Sequence, residues 1–430
     1  MKKNILYGPQ TKASLENFPF DYHKVLKEFV YAMVMIKKAA AIANYKAGKI
    51  DKKISDKIVT ACDEILKGKY DDQFVVSAHH GGAGTSIHMN VNEVIGTLSG
   101  AHPNDHVNAS QSTNDVNPSS LKVASIKLTR KMLKSLDYLI SVFDKKSQEY
   151  KSIQKLGRTH FQDAVPTTLG AEFGSYRDIL KRDKKRIEDA LNYLFELNLG
   201  ATAIGNSINA PKEYIIHVYK ELRLITEINE LKPLENLMSG TSSDADFCHI
   251  SGAVTILCND LSKIALDLRF MSSGPRGGIG EISFKELQPG SSIMPGKVNP
   301  IMAETINQTY YLISGKNLSI HQAAEGAHME LGVMLPIIAD SLITMLKIVD
   351  TALNIFTDRG IKMIIANKER CKELLERSTA YATLLTPRLG YDVVSKVVKE
   401  SVSTGKTIRE VILEKKLLSA VELEKLLVLK

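Results

Sequence analysis

A mainly α-helical fold in three parts, with a bundle of long helices at its centre, is what this sequence predicts. Three observations carry the expectation. Apolar residues recur at three- and four-residue steps along several stretches, the mark of one buried helix face. A helix of roughly thirty residues spans about 45 Å, longer than a compact single domain needs, so such helices must bury their stripes against one another. Finally, 430 residues with 44% hydrophobic and 24% charged content describe an ordinary globular protein with room for two or three domains.

Taken in order, residues 1–117 read as an N-terminal domain mixing short helices with glycine-rich loops, with GGAGTS (81–86) and QSTND (111–115) at loop positions. The character then changes. Leu121, Leu128, Met132, Leu136, Leu139 and Phe143 mark one face of a long helix. Ser119 or Ser120 is expected to cap its start, and Pro118 to hold the preceding chain extended. Further long helices are expected over about 168–197, 243–271, 300–323 and 330–357, completing a central domain of residues 118–368. Residues 369–430 read as a small helical domain containing TPRLGYD (386–392) and ending in a Leu/Glu/Lys-rich helix.

Bulk properties narrow the function classes. A formal charge of +8, from 56 basic against 48 acidic residues, is mild for this length and implies a solvated basic surface. No charge run or basic stripe interleaved with aromatics points to nucleic acid. The four cysteines, Cys62, Cys248, Cys258 and Cys371, form no CxxC pair, which speaks against structural zinc and a disulfide framework. The start, MKKNILYGPQ, lacks the apolar core of a signal peptide, and no stretch is long and apolar enough for a membrane span. A reducing cytoplasm is the expected compartment.

The most informative segment is GSSIMPGKVNP (290–300). Glycines and prolines give it the turns of a loop. Ser291, Ser292, Lys297 and Asn299 supply donors suited to a carboxylate or phosphate. A phosphate-cradling P-loop is excluded, because five residues separate Gly290 from Gly296 and Val298 follows Lys297 where Ser or Thr is required.

GSSIMPGKVNP closely resembles the signature of the fumarase/aspartase superfamily. So do GGAGTSIHMNVNEV (81–94), QSTND, GRTHFQDAVPTTLGAEF (157–173) and NLGATAIG (198–205), in the family's usual order and over almost the whole chain. Two branches lie nearest, aspartate ammonia-lyase and class II fumarase. GGAGTS, QSTND, DAVPTTLG and NLGATAIG favour the first, whereas GSSIMPGKVNP and GIGEIS (278–283) occur in both. The resemblance thus implies reversible elimination of ammonium from L-aspartate to leave fumarate, with hydration of fumarate to L-malate as the alternative. A catalytically silent helical scaffold is a third reading, but a scaffold needs no such set of polar loop residues.

By residue-for-residue matching, the resemblance implies that Ser291 is the base that removes a carbon-bound proton. His160 would orient substrate or shuttle a proton, paired with Glu304. Thr85, Ser112, Thr113 and Ser292 would surround the carboxylate that becomes an aci-carboxylate, a dianion needing preorganised donors. Lys297 and Asn299 would hold the other carboxylate, Thr159 would join His160 in a second cluster, and Asn114 would contact amine or carboxylate. Arg158 is expected to support its loop by buried ion pairing. The resemblance further implies a homotetrameric helical core with active sites shared between subunits, a small dicarboxylate substrate, and no redox cofactor or essential metal; an accessory divalent cation stays open. His79 and His80 are adjacent and lack accompanying ligand spacing. Two departures from the family pattern stand out: the segment 93–103 is short, and His88 stands where Asn is usual. His88 would either touch substrate or act behind it as a hydrogen-bonding histidine.

Overall fold

The computed structural model describes residues 5–429. Sixteen α-helices dominate it, and its six short strands pair only in twos. In chain order the helices are α1 (Pro9–Asn17), α2 (Lys27–Lys46), α3 (Lys52–Leu66), α4 (Thr85–Ser99), α5 (Thr113–Glu149), α6 (Leu169–Leu191), α7 (Lys212–Thr226), α8 (Leu237–Ser242), α9 (Ala245–Met271), α10 (Ile301–Glu325) and α11 (Leu335–Ile355). The remainder are α12 (Lys368–Arg377), α13 (Ala382–Leu389), α14 (Tyr391–Thr404), α15 (Ile408–Glu414) and α16 (Ala420–Leu427). Strands β1 (Gln154–Thr159) and β2 (Gln162–Thr168) form an antiparallel hairpin. No helix among the described residues is long and apolar enough to cross a membrane.

Two compact units make up the chain. The first comprises Met1–Lys134, Asp183–Cys258 and Tyr310–Asp350; the second comprises Ser135–Arg182, Asn259–Thr309 and Thr351–Lys430. In the first, α2 packs on α3 and α7, and α3 on α4. Helix α2 is far longer than the short helices expected in this part of the sequence. Glu93 on α4 anchors α1 by accepting from the backbone N–H groups of Gly8, Gln10 and Thr11 and from Thr11 Oγ1, at 2.8, 2.9, 3.1 and 2.6 Å. A carboxylate at a helix N-terminus meets both orphan donors and a favourable dipole. Lys122 on α5 reaches Asp246 on α9 at 2.6 Å, and Ser251 on α9 donates to Asn317 on α10 at 2.8 Å.

The second unit is tied in the same way. Asn307 on α10 donates to Ser262 on α9, and Tyr176 on α6 to Asp267 on α9. Leu156 of β1 joins a separate apolar cluster with Leu375, Leu385, Val397, Ile408, Val411, Ile412 and Leu423 from α12 to α16. Reciprocal capping pairs, Thr407 with Glu410 and Ser419 with Glu422, fix the starts of α15 and α16. TPRLGYD is a joint between α13 and α14 at Gly390, whose φ of +79° favours glycine.

The apolar stripe of α5 largely follows its period: Leu121, Met132, Leu136, Leu139 and Phe143 are fully buried, while Leu128 is half-buried. Its start differs. Helix α5 begins at Thr113, and Pro118 lies inside it. Proline lacks the N–H that would meet the carbonyl of Asn114, and that carbonyl instead accepts from Asn198 Nδ2 at 3.1 Å. Ser119 and Ser120 are buried within the helix rather than capping it, and Ser120 Oγ donates to the Val116 carbonyl at 2.7 Å. The cap is Ser112, whose Oγ accepts from the Asn114 N–H at 3.2 Å while Asp115 Oδ1 accepts from the Ser112 N–H at 2.9 Å.

Candidate active site

The first unit brings two helix N-termini into one polar cluster. Gly84, at φ +87°, turns the chain into α4, and a Cβ there would lie 2.1 Å from Asn117 Nδ2, so only glycine fits. Thr85 is therefore the first residue of α4, and it is exposed. Thr113 is the first residue of α5 and half-buried. Both sequence motifs end in helix starts rather than lying wholly in loops. One helical turn beyond Thr85, His88 Nδ1 lies 2.7 Å from Thr113 Oγ1, which ties the two starts together. Aligned N–H groups and dipoles at such ends favour an anion.

Asp115 organises this cluster. Its carboxylate is fully buried and accepts from the backbone N–H groups of Ser112, Gly200 and Thr202 at 2.9, 3.0 and 3.0 Å. It thereby joins QSTND to NLGATAIG. Burial pushes its carboxyl up to about 6, against the pull of those amides and of Lys37. Asn114 Nδ2 donates to the Ala203 carbonyl at 2.8 Å, which leaves its Oδ1 for a ligand. Substituting Asp115→Asn exchanges one acceptor oxygen for an NH2 that must face an N–H. The expected cost is about 2 kcal/mol of stability, with a raised KM as Ser112 and Asn114 lose their anchor; urea unfolding and steady-state kinetics check both.

The second unit carries two further groups. Thr159 pairs with Gln162 across a two-residue turn, His160-Phe161, in which both residues have positive φ, +56° and +60°. Such turns normally use Asn and Gly. Two large side chains there cost on the order of 1 kcal/mol each, strain of a kind that collects at functional sites. Thr159 and His160 are exposed at the tip. Below them Glu281, with no exposure, receives Arg158 Nη1 at 2.9 Å and Lys155 Nζ at 3.0 Å, and Lys155 also meets Glu172 at 2.7 Å. Arg158 thus supports the hairpin by ion pairing, as expected. Burial raises the Glu172 carboxyl, with Lys155 opposing.

The loop 290–300 closes at its base. Asn299 Nδ2 donates to the Gly290 carbonyl at 2.8 Å, and a Cβ on Gly290 would lie 1.9 Å from the Lys297 carbonyl oxygen. Ser291 Oγ accepts from the backbone N–H groups of Ile293 and Met294, each at 3.2 Å. Ser292 and Lys297 are exposed. Glu304, in the first turn of α10, accepts from Gln308 at 3.0 Å; no hydrogen bond joins it to His160 within the described chain. Nor does one join the hairpin tip to this loop.

Among the described residues no group of three His, Cys, Asp or Glu side chains is placed to hold a metal ion. His80 is buried with Nδ1 2.7 Å from the Ser77 carbonyl. Sequence reasoning missed Lys37, Asn108 and Asp115 behind the helix starts of the first unit, and Lys155 and Glu281 beneath the hairpin of the second. The signal for Lys37 was present, because it falls on the stripe of Val30, Met33, Val34, Ala40, Ala41 and Asn44, all of them buried.

A family model described as "Lyase" matches residues 1–315, and one described as "Fumarase C C-terminus" matches residues 382–430. The aspartate ammonia-lyase of Bacillus subtilis is 42% identical, across 99% of this chain and 92% of that protein. That of Escherichia coli K12 is 41% identical, across 97% and 90%. Among solved structures, a fumarate lyase:delta crystallin from Brucella melitensis bound to cobalt superposes with a TM-score of 0.96 at 39% identity, covering 99% of this chain and 95% of that one. The class II fumarase of Schistosoma mansoni gives 0.93 at 32% identity, with the same coverages. Motifs, fold and relatives agree: the chain belongs to the fumarase/aspartase superfamily, in its aspartate ammonia-lyase branch.

Proposed function

We propose that this chain interconverts L-aspartate with fumarate and ammonium, with Ser291 as the base. The observation that carries the mechanism is the pair of backbone N–H groups on Ser291 Oγ. A serine hydroxyl is a poor base; donors to its oxygen favour the alkoxide, and loop closure that expels water strengthens them. Ser291 takes the proton from the carbon beside one carboxylate, the electron pair moves into that carboxylate to give the aci-carboxylate, and its collapse expels the amine from the neighbouring carbon. Thr85, Ser112, Thr113 and Ser292 offer hydroxyl donors to the dianion. Lys297 and the second Nδ2 hydrogen of Asn299 hold the other carboxylate, and Thr159, His160 and Asn114 serve the rest of the substrate, with Glu304 the carboxylate partner of His160.

The active form we infer is a homotetramer in which each site takes Thr85, Thr159 and Ser291 from three chains. Supporting this, Thr159, His160, Ser292 and Lys297 are exposed in the single chain, and His160 and Glu304 have no bond to each other within it. No cofactor or metal is needed for the elimination. All four cysteines are free thiols, which supports a reducing cytoplasm. The test follows the ultraviolet absorbance of fumarate with purified protein and L-aspartate or L-malate in parallel. Fumarate from aspartate alone is the expected result. Fumarate from malate alone would transfer the chain to the hydratase reading.

A further inference from the structure

We propose that Lys37 and His88 are positioning residues for Thr113: the lysine fixes one neutral tautomer of the imidazole, and the imidazole fixes the direction in which Thr113 offers its proton to substrate. The proposal rests on the reading of Thr113 as a substrate contact. It starts from a continuous hydrogen-bonded chain. Lys37 Nζ, fully buried in the middle of α2, lies 2.6 Å from His88 Nε2 and donates to Asn108 Oδ1 at 2.9 Å. On its other side the ring's Nδ1 lies 2.7 Å from Thr113 Oγ1.

Donor and acceptor inventories then settle the polarity. An ammonium has three donors and no acceptor, so Nε2 must present its lone pair. The neutral ring then carries its proton on Nδ1 and donates to Thr113 Oγ1. With that oxygen accepting from the ring, the Thr113 hydroxyl hydrogen turns away from it. The donor sense runs from Lys37 through His88 and Thr113 outward, suited to a ligand carboxylate. His88, at 1% exposure, acts behind Thr113 rather than on substrate. The titratable groups facing Lys37 are Asp115 on α5 and Cys62 on α3, both favouring the charged lysine; burial opposes them and lowers it to about 7. Burial and the facing Lys37 hold His88 well below its usual value, hence neutral.

An amide at position 88 can preserve this polarity, its oxygen toward Lys37 and its NH2 toward Thr113, whereas a phenyl ring cannot. The first arm is nitrogen-15 NMR of histidine-labelled, ligand-free protein at about pH 6, where Lys37 holds its proton. A neutral His88 protonated on Nδ1 is expected; an imidazolium, or a proton on Nε2, would overturn the proposal. The second arm is kinetic. His88→Phe and Lys37→Met should raise KM for L-aspartate about tenfold and lower kcat as well, because Thr113 serves the carboxylate on which charge develops, with His88→Gln within about threefold of wild type in both. Adding His88→Phe to Thr113→Val should cost nothing further. An unchanged KM in His88→Phe, or fully additive effects, would refute the positioning role. Should the wild-type protein turn over neither aspartate nor malate, the proposed function fails while the NMR arm still decides the tautomer.

Discussion

Replacing Ser291 by alanine is expected to lower turnover by about three to five orders of magnitude while leaving the fold intact. Two features combine to give this split. Ser291 lies in a loop closed at its base by Asn299 and Gly290, and the hydroxyl's partners are the N–H groups of Ile293 and Met294 within the same loop. Removing Oγ therefore leaves those amides to water and creates no cavity in either core. Chemically nothing replaces it, since the alanine methyl can take no proton and Ser292 is the next residue on an exposed loop. The urea midpoint should match wild type within error, and kcat should fall far more than KM changes. Unchanged turnover would sink the assignment of the base.

Glu281→Ala is the second large effect, and it acts on stability. Glu281 has no exposure and receives both Arg158 and Lys155, the latter 2% exposed. Deleting the carboxylate leaves the buried Lys155 with Glu172 alone and the half-buried Arg158 without its acid, two charges partly uncompensated. Breaking a buried ion pair from one side costs about 3–5 kcal/mol. Because Lys155 and Arg158 belong to β1, the loss should loosen the hairpin that carries Thr159 and His160, whose turn is already strained at positive φ. Denaturant unfolding should show the drop, and KM should rise in protein that remains folded. A midpoint equal to that of wild type would show that the cluster contributes no net stability.

Much of the fold was legible because long helices declare themselves by period. The α5 stripe placed Leu121, Met132, Leu136, Leu139 and Phe143 in the core from spacing alone. Its start was misread because a proline was weighed as a local breaker, whereas the carbonyl it orphans is met by Asn198, 84 residues away in sequence. The β1–β2 hairpin escaped notice for a related reason. His160-Phe161 carries none of the turn chemistry that marks a tight hairpin, and the turn is held by strand pairing beneath it. Site residues were legible in loops, where hydroxyls, Lys297 and Asn299 crowd between glycines and prolines, but their roles came from family resemblance. What supports them was hidden: Lys37, Asp115 and Glu281 act from within apolar surroundings, and only their partners in space distinguish them from tolerated charges.

Co-refolding of two inactive variants tests whether each active site is completed between chains. Ser291→Ala and Thr159→Ala proteins, each inactive alone, are mixed in equal amounts, unfolded together and refolded. If Ser291 and Thr159 reach each site from different chains of a homotetramer, random assembly gives about one quarter of sites both wild-type residues. The mixture should then recover roughly that fraction of wild-type kcat with wild-type KM. A mixed tetramer that forms but shows no activity above its parents would place both residues on one chain and contradict the shared site.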